Sequence, residues 1–123
     1  MIENPRRFRA GPDPFGRTWQ VDLLWLQTAI SIRHADAVDV KFLLSDGESR
    51  QEKVISLRHP DLLALSGKTS RPLTDAWCMR LAARHLARMI ETGEDFEKTL
   101  VTVSPEELEQ YNTILEEAAV ARE

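Results

Sequence analysis

A chain of 123 residues is long enough for one domain with its own apolar core, without disulfide or metal staples. Apolar residues make up 42% and charged residues 29%, the balance of an ordinary globular protein rather than a disordered one. The net charge of −4 gives no general pull toward nucleic acid or anionic membrane, and no apolar run approaches the ~20 residues that cross a bilayer.

The charge is unevenly placed. Residues 1–17 hold Arg6, Arg7, Arg9 and Arg17 against Glu3 and Asp13, and residues 104–123 hold six glutamates against Arg122. A basic start and an acidic last helix can pair within a chain or between chains. Cys78 is the single cysteine and no apolar signal core follows the first arginines, so a cytoplasmic protein is expected.

In chain order, residues 1–16 contain Pro5, Pro12 and Pro14 with Gly11 and Gly16. That composition opposes regular structure and predicts a flexible or docked arm, with Phe8 and Phe15 as its anchors. The remaining residues, 17–123, are read as one α+β domain. Trp19, Val21, Leu23 and Trp25 alternate as a strand does, and after Trp25 the parity switches to Leu26, Ile30 and Ile32, which predicts a bulge, a bend or two strands. A short helix over Val21 to Ala29 is the other reading.

Val38, Val40, Phe42 and Leu44 alternate as a half-buried strand, and Asp46-Gly47 marks a turn within a loop from Ser45 to Gln51. Lys53 to Leu57 is the next strand, with Ile55 and Leu57 on one face. His59-Pro60-Asp61 opens a short helix with Leu62 and Leu65 buried, closed by Ser66-Gly67. The main helix follows, from about Leu73 to Thr92, with Thr74 as N-cap, Asp75 at its positive end and Gly93 at its close. Thr99 to Val103 reads as a last strand. Ser104-Pro105-Glu106-Glu107 then forms a capping box before the stripe Leu108, Tyr111, Leu115 and Ala118. The pattern predicts an antiparallel sheet of about four to five strands with two main helices packed on one face, in the order β-β-β-α-α-β-α.

The main helix carries the most information. At about 100° per residue, Met79, Ala82, Ala83, Leu86, Met89 and Ile90 form a core face. The opposite side carries Arg80, Arg84 and Arg88, one turn apart, with Trp77 among them. Three guanidinium groups in a row suit carboxylates or phosphates, and a tryptophan in that row implies that this face also touches something. Either it pairs with acids of the same chain and packs beneath a neighbouring helix, or it forms a contact surface.

No catalytic, metal or cofactor signature accompanies it. His34, His59 and His85 lack the spacing of three or four that places two ligands on one helix turn. Cys78 and His85 share a side of the helix, but seven residues put them ~10 Å apart along the axis, too far for a thiolate–imidazole pair. The carboxylates cluster at helix ends and loops, and the five glycines are scattered singly. Trp19 and Trp25, six apart, point to one face of a regular strand, as core or as an interface.

The sequence therefore predicts a small non-catalytic domain, a protein-interaction or self-associating module with Trp77, Arg80, Arg84 and Arg88 as its surface. A homodimer or another protein is the expected partner. The alternative is a nucleic-acid-binding protein that uses the arginine face and the basic arm. Neither cofactor nor membrane is expected.

Overall fold

The computed structural model describes residues 2, 4–29 and 36–121. Ile30, Ile32, His34 and Arg122 lie outside the described residues. Five strands and three helices follow in the order β1 (Arg7–Ala10), β2 (Trp19–Ala29), β3 (Ala37–Ser45), β4 (Arg50–Arg58), α1 (His59–Thr69), α2 (Asp75–Thr92), β5 (Leu100–Thr102) and α3 (Pro105–Ala121). The chain is α+β. The strands form one sheet in the order β1-β2-β3-β4-β5, with the helices on the side of the buried core. The first four strands are antiparallel, but β5 joins β4 in parallel. The expected all-antiparallel sheet is corrected there, because the chain crosses over through α1 and α2 before it returns to the sheet.

Alternation decides which side chains face the helices. Across the middle of the sheet, Leu26 pairs with Val40, Val40 with Ile55 and Ile55 with Val101, all on the core face. The next position puts Trp25, Lys41, Val54 and Leu100 in register on the open face. The register shift between Leu23 and Trp25 inserts Leu24 as a bulge. The parity switch of the sequence is this bulge, one residue earlier than read. Strand β2 replaces the alternative helix over Val21 to Ala29. The bulge also separates the two tryptophans: Trp19 is fully buried, while Trp25 lies half-buried on the open face beneath the Lys41 ammonium.

Three boundaries differ from the sequence reading. Residues 7–10 belong to the sheet rather than to an irregular arm, because Arg-Phe-Arg-Ala alternates and buries Phe8 and Ala10. Phe8 docks as expected, but Phe15 is 84% exposed. The loop between β3 and β4 is only residues 46–49, closed by the Asp46 carboxylate, which accepts from the amides of Glu48 and Ser49; β4 accordingly starts at Arg50. Helix α1 runs through Gly67 to Thr69 and ends at Ser70, which adopts φ 56 and donates its amide to Ser66.

The loop after β1 is organised by a carboxylate. Asp13 is buried and accepts from the amides of Phe15 and Arg17, the Arg17 guanidinium and the Trp19 indole. Burial opposes its ionisation, but these hydrogen bonds outweigh it and hold the carboxyl at about 2.

Candidate binding surface

Helix α2 is capped as the sequence predicts, with Thr74 accepting from the Trp77 amide at 3.2 Å and Gly93 closing at φ 76. All six predicted core-face residues are buried. So are Trp77, Leu81, His85 and Ala87 on the other side, because α3 packs over it. Small residues (Ala82, Ala83, Ala87) let the helix approach its neighbours closely. The second contact implied by a tryptophan within an arginine row is therefore, for most of the helix, a contact with α3 of the same chain.

The four predicted surface residues part company here. Trp77 is 4% exposed, and its indole donates to Asn112 of α3 at 2.9 Å. It belongs to the seam between the helices, not to an open face, because the apolar ring outweighs the company of its charged neighbours. Arg88 donates to Glu107 at 3.0 Å and to the Tyr111 hydroxyl at 3.4 Å. That glutamate also closes the capping box: Ser104 and Glu107 exchange hydrogen bonds of 3.1 and 3.2 Å.

Beside Arg88, His85 places Nδ1 2.8 Å from the Tyr111 hydroxyl and 3.6 Å from Glu107. Its Nε2 is buried with no hydrogen-bond partner among the described residues. Burial pushes the imidazole below its usual range, against the pull of Glu107. The adjoining cavity, lined by His85, Arg88, Thr92, Glu94 and Glu107, measures about 10 Å³, the size of a water rather than of a substrate. His85 and Arg88 of α2, with Glu107 and Tyr111 of α3, fasten the two helices together. Cys78 is buried and its thiol is pushed up to about 11 by burial, which keeps it protonated and unreactive at neutral pH. Among the described residues no three His, Cys, Asp or Glu side chains converge as a metal would need.

Arg80 and Arg84 remain at the surface, and the structure adds a residue that sequence spacing could not supply. Arg71 comes from the α1–α2 loop, whose shape is held by Ser66: the serine carbonyl accepts from the Arg71 amide and its hydroxyl donates to the Arg71 carbonyl. The three arginines line a cleft of about 170 Å³ whose other walls are Ile2, Leu115, Ala118 and Ala119. A second hollow of about 270 Å³ continues from Arg71 and Arg80 over Pro72, Ala76 and the edge of Trp77. The Arg84 Nε atom is buried, with no hydrogen-bond partner among the described residues. Among the described residues no carboxylate pairs with Arg71 or Arg84.

The basic arm does not extend this cleft. Since Phe8 and Ala10 face the core, Arg7 and Arg9 face the open side of the sheet, away from the helices. There Arg7 pairs with Asp22 at 2.9 Å and Arg9 reaches Gln20 at 3.4 Å. No helix among the described residues is long and apolar enough to cross a membrane. Comparison with models of protein families, with curated proteins and with solved structures returns no match for this chain.

Proposed function

We propose that this chain acts by binding another protein through the cleft of Arg71, Arg80 and Arg84, as a non-catalytic interaction module of the cytoplasm. The observation that carries the reading is the unpartnered, buried Nε of Arg84 at the edge of an apolar-walled cleft. The Arg84 side chain is half-buried and its Nε is already shut off from water, so a carboxylate that docks on the accessible part of the guanidinium costs it less hydration and gains a charge-assisted, geometrically defined hydrogen bond. Leu115, Ala118 and Ile2 give an adjoining apolar side chain a place to be buried. The fitting ligand is a segment that carries a carboxylate beside an aliphatic group.

A nucleic-acid backbone fits less well. Phosphate binding draws on an extended basic surface, whereas α3, one wall of the cleft, carries five glutamates and no lysine or arginine from Pro105 to Ala121. Arg7 and Arg9 of the arm face the open side of the sheet, away from the cleft.

The test is capture from a lysate of the source organism with the wild-type chain and with Arg84→Glu as baits. A protein retained by the wild type and lost from the variant, with melting temperature unchanged, supports the reading. Identical material on both baits, or none, refutes it. Retained nucleic acid whose affinity falls steeply with salt would replace it with the phosphate-binding alternative.

A further inference from the structure

We infer that the occupant of the cleft is a second copy of this chain, seated about a two-fold axis at the C-terminal half of α3. In that arrangement Ile114 and Glu117 of each copy meet Ala118 and Arg84 of the other. The inference rests on the cleft being the binding surface and names the partner.

Within one chain some charges are left over. Among the glutamates of α3, Glu107 is held by Arg88, Glu109 by Lys68 at 2.6 Å and Glu116 by the Asn112 amide at 3.1 Å. Glu106 sits in the first turn, where the helix dipole favours it. Glu117 is exposed, and among the described residues nothing pairs with it. Arg84 of α2 and Arg71 of the α1–α2 loop lie on the cleft side of α3, beside Leu115, and among the described residues no carboxylate pairs with them. Helix geometry explains why they do not meet inside the chain: Glu117 is 200° round the helix from Leu115, about 100° per residue, and Leu115 lines the cleft. One molecule thus presents a cation and an anion at the two edges of one flank of α3, with Ala118 and Ile114 between them on the helix wheel.

The apolar groups repeat that pattern. Ile114 is 39% exposed, one turn before Ala118 and one residue short of a turn before Glu117. It offers an aliphatic group beside a carboxylate, the ligand chemistry that the cleft accepts. Ala118 and Ala119 carry no bulk that would hold two helices apart. A surface that carries both a cleft and its chemical complement becomes self-complementary under a two-fold axis, where each contact occurs twice. Glu117 and Arg84 are then satisfied in each copy.

The experiment is analytical ultracentrifugation of the full chain, with Arg84→Glu, Glu117→Arg and the double charge swap, at low and at high salt. The expected result is a dimer whose dissociation constant rises about tenfold or more in each single variant, since like charges then face each other. The double variant restores the dimer, and high salt weakens the wild type. Glu117 is exposed, so its variant folds even where Arg84→Glu is damaged, and melting curves check both. A wild type that stays monomeric while lysate capture still finds an Arg84-dependent partner overturns the second copy and leaves the cleft reading standing. A monomer that captures nothing overturns both. A dimer indifferent to both single variants, or one that the double swap fails to restore, overturns this docking.

Discussion

The indole of Trp77 donates a hydrogen bond of 2.9 Å to the side-chain carbonyl of Asn112, and both residues are buried between α2 and α3. The bond explains how a tryptophan stands in a row of arginines without facing water. Its ring is covered by α3, its one polar atom is satisfied there, and the Asn112 amide is satisfied in turn by Glu116. Trp77→Phe keeps most of the ring but leaves the Asn112 oxygen without its donor. We expect a loss of about 1–2 kcal/mol, the cost of an orphaned buried acceptor. Urea denaturation measures it, and a double-mutant cycle with Asn112→Ala should show coupling of about 1 kcal/mol. Additive single effects would mean that the bond does not fasten the helices.

His85 makes stability depend on pH. Facing it are Tyr111 and Glu107 from α3, Arg88 on its own helix, and Glu94 and Asp95 beyond the end of α2. Burial, the largest influence, lowers its pKa relative to the unfolded chain, where an imidazole titrates near about 6.5. The folded state then binds fewer protons than the unfolded one below that value. Stability attached to His85 is present above the unfolded pKa and is lost as pH falls through the folded pKa. Denaturation midpoints should drop from pH 7.5 to pH 5.5 in the wild type and change less in His85→Gln. Equal slopes in the two proteins would remove His85 as the cause.

Lys53 is the least expected member of the core. It is 2% exposed, shares the inward row with Leu23 and Phe42, and donates to the carbonyls of Phe96 and of Lys98, the latter at 2.8 Å. Its ammonium also lies 4.6 Å from the Phe96 ring. Burial lowers its pKa, yet the two carbonyls and the ring give the charge partners at the mouth of the core. Lys53→Met keeps the apolar stem and orphans both carbonyls, at a cost of about 2 kcal/mol. The loss should concentrate in residues 93–98, so amide exchange there should accelerate more than in β3. Uniform acceleration would show that the lysine acts on the whole fold instead of on this loop.

What the sequence disclosed follows the range of the forces involved. Caps are local, so Thr74, Gly93 and the Ser104–Glu107 box stand where spacing places them. Alternation is local too, which made β3 legible and, read one strand further, would have put Lys53 inward with Ile55 and Leu57. Strand β1 was hidden because its four alternating residues sit among Pro5, Pro12 and Pro14, whose composition dominates any longer window. The parallel entry of β5 depends on where two helices deliver the chain. Helical periodicity showed that α2 has a second contact face but not that α3 covers it, so Trp77 and Arg88 were read together with Arg80 and Arg84. Arg71 entered the cleft through the path of a loop, which leaves no periodic trace.

The bulge at Leu24 yields the sharpest test of the sheet. Before it, Trp19, Val21 and Leu23 face the core; after it, Leu26 does, opposite Val40. Leu24 is the extra residue, 43% exposed. Deleting it joins Leu23 directly to Trp25, and plain alternation then leaves Trp25 outward opposite Lys41 and Leu26 inward opposite Val40. Unlike most deletions within a strand, which turn the following side chains to the wrong face, this one preserves every inward position. The ΔLeu24 chain should fold with a loss of about 1 kcal/mol, from the altered local twist. Circular dichroism and thermal melting check it. A chain that no longer melts cooperatively would show that the bend itself, not the count of residues, seats β2 against the helices.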